Sequence, residues 1–110
     1  SLRILINLNM LNLVNVFKKY KFVKAAGFYG SFTKGENTEE SDIDLWIFIE
    51  SVSEEKIAKL TSELKKRSDK IKPLYLTKEK IEALRKDDPV FYYSLVFGSI
   101  NIYGEKIEAI

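Results

Sequence analysis

Residues 42–49 read Asp-Ile-Asp-Leu-Trp-Ile-Phe-Ile, and no other stretch restricts the fold as much. The run is apolar and rich in strand formers, so a strand is expected over 42–50. Side chains two apart on a strand point to the same face. Asp42 and Asp44 therefore stand together where the strand begins, about 7 Å apart along the chain. Two carboxylates beside an apolar core are costly unless a cation offsets them. A hard ion with oxygen ligands, Mg²⁺ or Mn²⁺, suits that pair. Taken alone, the Asp-x-Asp pattern also fits a plainer arrangement, with Asp42 ending a turn and Asp44 solvated.

Upstream, Lys24 to Tyr29 is short and mostly apolar, a second strand, and Gly30-Ser31 follows at once. A strand that ends in Gly-Ser and runs into a helical turn exposes backbone N–H groups. With the serine hydroxyl they can hold phosphate oxygens. Gly30 permits close backbone approach and Gly35 breaks the turn; by itself Gly-Ser is a turn signal. Together the two halves form Gly30-Ser31-x10-Asp42-x-Asp44, a phosphate-suited turn beside a metal-suited pair.

With Ser41-Asp42-Ile43-Asp44-Leu45 in register behind Gly30-Ser31, the chain resembles the minimal nucleotidyltransferases of the DNA polymerase beta superfamily. The resemblance implies an α/β fold (α+β by some conventions), a mixed β-sheet with helices packed on it. It implies that Gly30 and Ser31 bind a nucleoside triphosphate, with ATP the expected nucleotide. Asp42 and Asp44 would be the catalytic, metal-binding pair. In that family Mg²⁺ is also held by a third carboxylate on the next core strand. Here that position falls near Lys72 or Leu74, and neither is acidic. Asp69, just before the strand, is the candidate for the place; Glu50 lies at the far end of its own strand. Lys72 has two readings: an edge-strand lysine facing solvent, or a cation that reaches the Asp42/Asp44 pair and competes with Mg²⁺. The family's members often work with a helical partner of the higher eukaryotes and prokaryotes nucleotide-binding (HEPN) kind, as toxin–antitoxin pairs. The implied activity is transfer of a nucleoside monophosphate to an acceptor hydroxyl, on a protein among other acceptors. The alternatives are an antitoxin that only masks its partner, or a regulatory domain cut from a DNA-binding protein.

The remaining composition narrows the chemistry. At 110 residues the chain reads as one domain, residues 1–110, large enough for a core without staples. It has no cysteine and no histidine, so disulfides, thiolate sites and imidazole bases are closed to it. A net charge of +2 with interspersed signs does not indicate a nucleic-acid binder. No apolar run approaches a membrane span, and no signal peptide is visible; the expected location is cytoplasmic. Oligomerisation stays open. Residue 1 is Ser, which fits a processed or excised domain, and residues 1–7 read either as part of the fold or as the remnant of an upstream segment.

Taken in order, apolar spacing predicts a helix over 10–20, capped by Asn9 or Asn12. Lys18, Lys19, Lys21 and Lys24 read first as a solvated helix end and second as an attraction for a triphosphate. Ser51 to Glu54 has a capping-box pattern, opening a helix to about Ser68 with Ile57, Leu60 and Leu64 inward. Its wet side carries Glu55–Lys59 and Glu63–Arg67 pairs. Ile71 to Leu76 is the third strand, placed at an edge by Pro73 and parallel to 42–50 after a helical crossover. Thr77 caps a helix through Arg85. Asp88-Pro89 starts another over Val90–Phe97, closed by Gly98 as its C′ residue. Phe91, Tyr92, Tyr93 and Phe97 read as packing groups. A last strand covers Ile100 to Tyr103.

Overall fold

The computed structural model describes residues 12–30 and 42–110. Four strands form its sheet: β1 (Val23–Tyr29), β2 (Ile43–Ile49), β3 (Ile71–Leu76) and β4 (Ile100–Gly104). Their spatial order is β3-β2-β1-β4. β1 runs antiparallel to β2 and β4, while β2 and β3 are parallel, as a helical crossover between them requires. Pro73 sits on β3, an edge strand among the described residues, where a missing N–H leaves no gap in the sheet.

Alternation along β2 assigns the two faces. Leu45, Ile47 and Ile49 pack with Leu13, Val16 and Phe17 of helix α1 (residues 12–19) and with Leu60 and Leu64 of α2 (Glu54–Arg67). Trp46 and Phe48 face the other way. They pack with Ile81 of α3 (Lys78–Asp87), Tyr92 and Leu95 of α4 (Pro89–Gly98), and Ile107 of a closing 3₁₀ turn. The result is a mixed sheet between two helical layers, the α/β arrangement expected. Trp46 is fully buried, and its indole N–H donates to Ser99 Oγ at 3.0 Å. Opposite it in register is Gly27. A Cβ there would lie 2.7 Å from the indole, so glycine is what lets the ring lie flat on β1.

Several local expectations are corrected. The Ser51–Glu54 capping box does not form: α2 starts at Glu54, so Ser53 is the cap and makes no side-chain cap bond. The third helical residue is then Lys56, which cannot reach back as a Glu would. Glu54 and Glu55 complement the helix dipole instead. Glu63 bonds Lys19 of α1 at 3.2 Å and forms no ion pair with Arg67. The caps of α3 and α4 hold as expected, Thr77 accepting from the Lys80 N–H and Asp88 from that of Phe91. α3 runs on to Asp87. α4 includes Gly98 and is capped by Ser99 in extended conformation. Gly98 has no positive φ, because the chain passes straight into β4 without a left-handed turn. Of the α4 aromatics, Tyr92 is buried, but Phe97 is 83% exposed and Tyr93 47%; their rings stack on each other at 6.0 Å. The readings made for residues 1–7, Asn9, Ser31 and Gly35 lie outside the described residues.

Candidate active site

The antiparallel pairing of β1 with β2 sets the end of one strand beside the start of the other. Tyr29, the last residue of β1, is opposite Asp44, and Gly30 follows. Gly30 has φ +75°, and a Cβ on it would fall 2.6 Å from Asp44 Oδ2. The turn and the carboxylate are thus in direct apposition. Asp42 stands one residue before β2 and is exposed; Asp44 is half-buried on the Trp46 face.

The parallel pairing with β3 adds the third component. Lys72 is opposite Asp44 in register, and its Nζ lies 2.8 Å from Asp42 Oδ2. The second of the two readings of Lys72 is the one observed: the ammonium reaches the pair. Among the described residues no group of three acidic, imidazole or thiol side chains converges. Asp69 stays in the exposed turn ahead of β3 and does not complete the pair. Glu50, at the opposite end of β2, is bonded to Lys24 at 3.1 Å.

Electrostatics separate the two aspartates. The hydrogen bond from Lys72, supported by the charges of Lys72, Lys70 and Lys65, holds the Asp42 carboxyl below the ordinary range. Burial pushes Asp44 upward, and the charge of Asp42 adds to the shift against the pull of Lys72. Burial is thus the main cause of the rise at Asp44, and the neighbouring like charge the second. Lys72 is itself raised by its bond to Asp42. Tyr29 was not singled out from the sequence, yet burial and the charge of Asp44 raise its phenol, and its ring meets Phe91 edge-on at 6.1 Å. The available signal was its position immediately before Gly30. Beyond Leu74 on the same face, a cavity of about 320 Å³ opens between β3, α3 and α4, with Leu84 and Phe91 in its wall. The lysine cluster, in contrast, is remote. Lys19 and Lys24 are used in ion pairs, and Lys24 lies near the Val23–Ile49 end of the strand pair, away from Asp44.

The model of the family "Polymerase beta, Nucleotidyltransferase" matches residues 12–108. The chain belongs to that family. Three solved structures show the same nucleotidyltransferase fold at low identity. A toxin–antitoxin crystallised with AMP-PNP superposes with a TM-score of 0.65 at 16% identity, covering 91% of this chain and 77% of that one. The complex of a tri-AMPylated Shewanella oneidensis HEPN toxin with its MNT antitoxin gives 0.61 at 14%, covering 94% and 76%. A mutant of the MntA–HpeT toxin–antitoxin gives 0.61 at 13%, covering 90% and 76%. Sequence comparison with curated proteins gives no match.

Nucleotidyltransferases of this family generally use divalent metals. In this nucleotidyltransferase domain the donor set suits a hard cation: two carboxylates at alternate positions on one strand face, the charge of Asp42 adding to the rise of Asp44. It does not fit a three-carboxylate shell within the described residues, since the position opposite Asp44 is a lysine.

Proposed function

We propose that this nucleotidyltransferase domain transfers the nucleoside monophosphate of ATP to an acceptor hydroxyl, on a protein, in a Mg²⁺-dependent reaction that releases pyrophosphate. The observation that carries the reading is the apposition of Gly30, at its positive φ, with the Asp42/Asp44 pair. In this reading Gly30 and Ser31 receive the triphosphate along the turn. Asp42 and Asp44 hold the cation, and Gly30 keeps the space that lets backbone and phosphate approach Asp44. A divalent cation bound there supplies charge neutralisation of the triphosphate and stabilises the leaving group. Lys65, Lys70 and Lys72, whose charges bear on Asp42, make that rim attractive to an anionic substrate. With so little covalent work for the protein, positioning and charge stabilisation do most of the catalysis.

The partner we infer is a helical HEPN-type protein, encountered in the cytoplasm, with one of its hydroxyl side chains as acceptor. The support is fold-level: the structural neighbours are toxin–antitoxin complexes, one with an AMPylated HEPN toxin. A second reading, a domain that binds nucleotide or masks its partner without transfer, is favoured by one observation, the lysine in place of a third acid. Incubation with Mg²⁺, a candidate HEPN partner and ATP labelled at either the α- or the γ-phosphate separates the two. Transfer of the α-label alone to the partner is expected. Stable complex formation without label transfer would leave the masking role in its place.

A further inference from the structure

We infer that Lys72 is a resident counter-cation that is handed from Asp42 to the triphosphate when metal and nucleotide bind. The inference rests on the nucleotide-binding reading of the site. Its starting point is geometric. The Lys72 ammonium is 2.8 Å from Asp42 Oδ2, opposite Asp44 in the β2–β3 register, and both carboxylates act on it. It therefore takes up one of the lone-pair sites of a carboxylate that a divalent cation would share. A divalent cation held by the pair repels the ammonium beside it, so metal binding favours departure of Lys72 from Asp42.

Where the ammonium goes follows from charge and reach. Two carboxylates and one lysine give the group a formal charge of −1, and the charges of Lys70 and Lys65 also bear on Asp42. A triphosphate brings a larger negative charge to the same rim. The lysine side chain is a compact charge on a four-carbon stem with three rotatable donors. It is more than half exposed here, so nothing packs it against Asp42. A short swing carries it to a phosphate oxygen, where a charge-assisted bond replaces the one it gives up. Two consequences follow, of opposite sign. Lys72 weakens metal binding to the nucleotide-free protein, and it strengthens nucleotide binding to the metal-loaded protein. Metal and nucleotide are thereby coupled, because each makes the other's arrangement of Lys72 the favourable one.

The test uses the intact chain and Mn²⁺. Mn²⁺ alone is titrated into wild type, Lys72→Met and Lys72→Asp; a non-hydrolysable ATP analogue is then titrated into wild type and Lys72→Met at saturating Mn²⁺. Lys72→Met should bind Mn²⁺ about two- to fivefold more tightly, the range for releasing an exposed ion pair. Lys72→Asp, which adds a ligand as well, should gain at least about tenfold. With metal present, Lys72→Met should bind the analogue about tenfold more weakly, having lost a charged donor to phosphate. Equal Mn²⁺ affinity in wild type and Lys72→Met overturns the competition. Unchanged or tighter analogue binding by Lys72→Met overturns the hand-over. Failure of wild type itself to take up the analogue at saturating Mn²⁺ would refute the nucleotide reading and the hand-over with it, while the Mn²⁺ titrations alone still decide the competition at Asp42.

Discussion

Gly30 is the residue on which the site's geometry turns. Its φ of +75° belongs to the left-handed region, and its missing Cβ leaves the space that Asp44 Oδ2 borders at 2.6 Å. Gly30→Ala should cost about 1–2 kcal/mol of stability for the backbone alone. It should also push the Asp44 carboxylate out of place. Urea denaturation measures the first effect and Mn²⁺ titration the second; a variant with normal metal affinity would mean that Asp44 tolerates displacement. Asp44 makes a further prediction, through its raised pKa. Between the unfolded value near 3.8 and the higher folded value, the folded state holds more protons. Stability from this group therefore falls as pH rises through that window. Above it the charged Asp44 opposes folding, and below it the penalty vanishes. Metal-free Asp44→Asn should accordingly melt above wild type at pH 7, and the difference should shrink on acidification toward 3.8 and below. Asp42 has the reverse sign: its lowered pKa gives stability above the unfolded value that is lost as pH falls through the folded one. The two aspartates look alike in the sequence. Burial of Asp44 and the bond from Lys72 to Asp42 tell them apart.

At the level of elements, alternation and punctuation were readable wherever one face of an element is apolar. β2 and β3 follow from their strand-forming runs, and Pro73 marks the edge. α2 follows from Leu60 and Leu64, both fully buried, so Leu64→Ala should lose about 2–5 kcal/mol in chemical denaturation. α4 is different. Apolar residues surround it, so periodicity cannot say which face is inward. The inward face proves to be Tyr92 and Leu95, leaving Val90 and Phe97 each 83% exposed. Phe97→Ser should therefore change stability by no more than about 0.5 kcal/mol, in the same denaturation assay that registers Leu64→Ala. A loss of several kcal/mol would mean that Phe97 is packed after all. The errors at Ser51 and Gly98 share one cause. Cap chemistry depends on the residue at which the helix starts or stops, and a shift of one or two positions changes which side chain can reach which backbone group.

For the whole molecule, the site is built from three strand ends brought together by topology. The antiparallel β1–β2 pair makes Gly30 and Asp44 neighbours despite the residues between them, which is why the Gly-Ser and Asp-x-Asp signals were informative together and weak apart. The parallel β2–β3 pair then brings Lys72 to Asp44. That register was open to sequence reasoning, but whether the lysine turned to solvent or to Asp42 depended on a side-chain contact that no spacing encodes. The basic cluster near Lys19 and Lys24 keeps its first reading as a solvated, ion-paired surface, because Lys24 lies at the end of the β1–β2 pair away from Asp44. Central to the proposed function is that Asp42 and Asp44 together hold the metal through which nucleotide binds. Calorimetric titration of a non-hydrolysable ATP analogue with and without Mg²⁺, into wild type and into the Asp42→Asn/Asp44→Asn double variant, tests it most directly. Wild type should bind the analogue tightly only with Mg²⁺, and the double variant should lose that Mg²⁺-dependent binding while keeping its fold. A folded double variant that binds Mg²⁺ and analogue as wild type does would contradict the account.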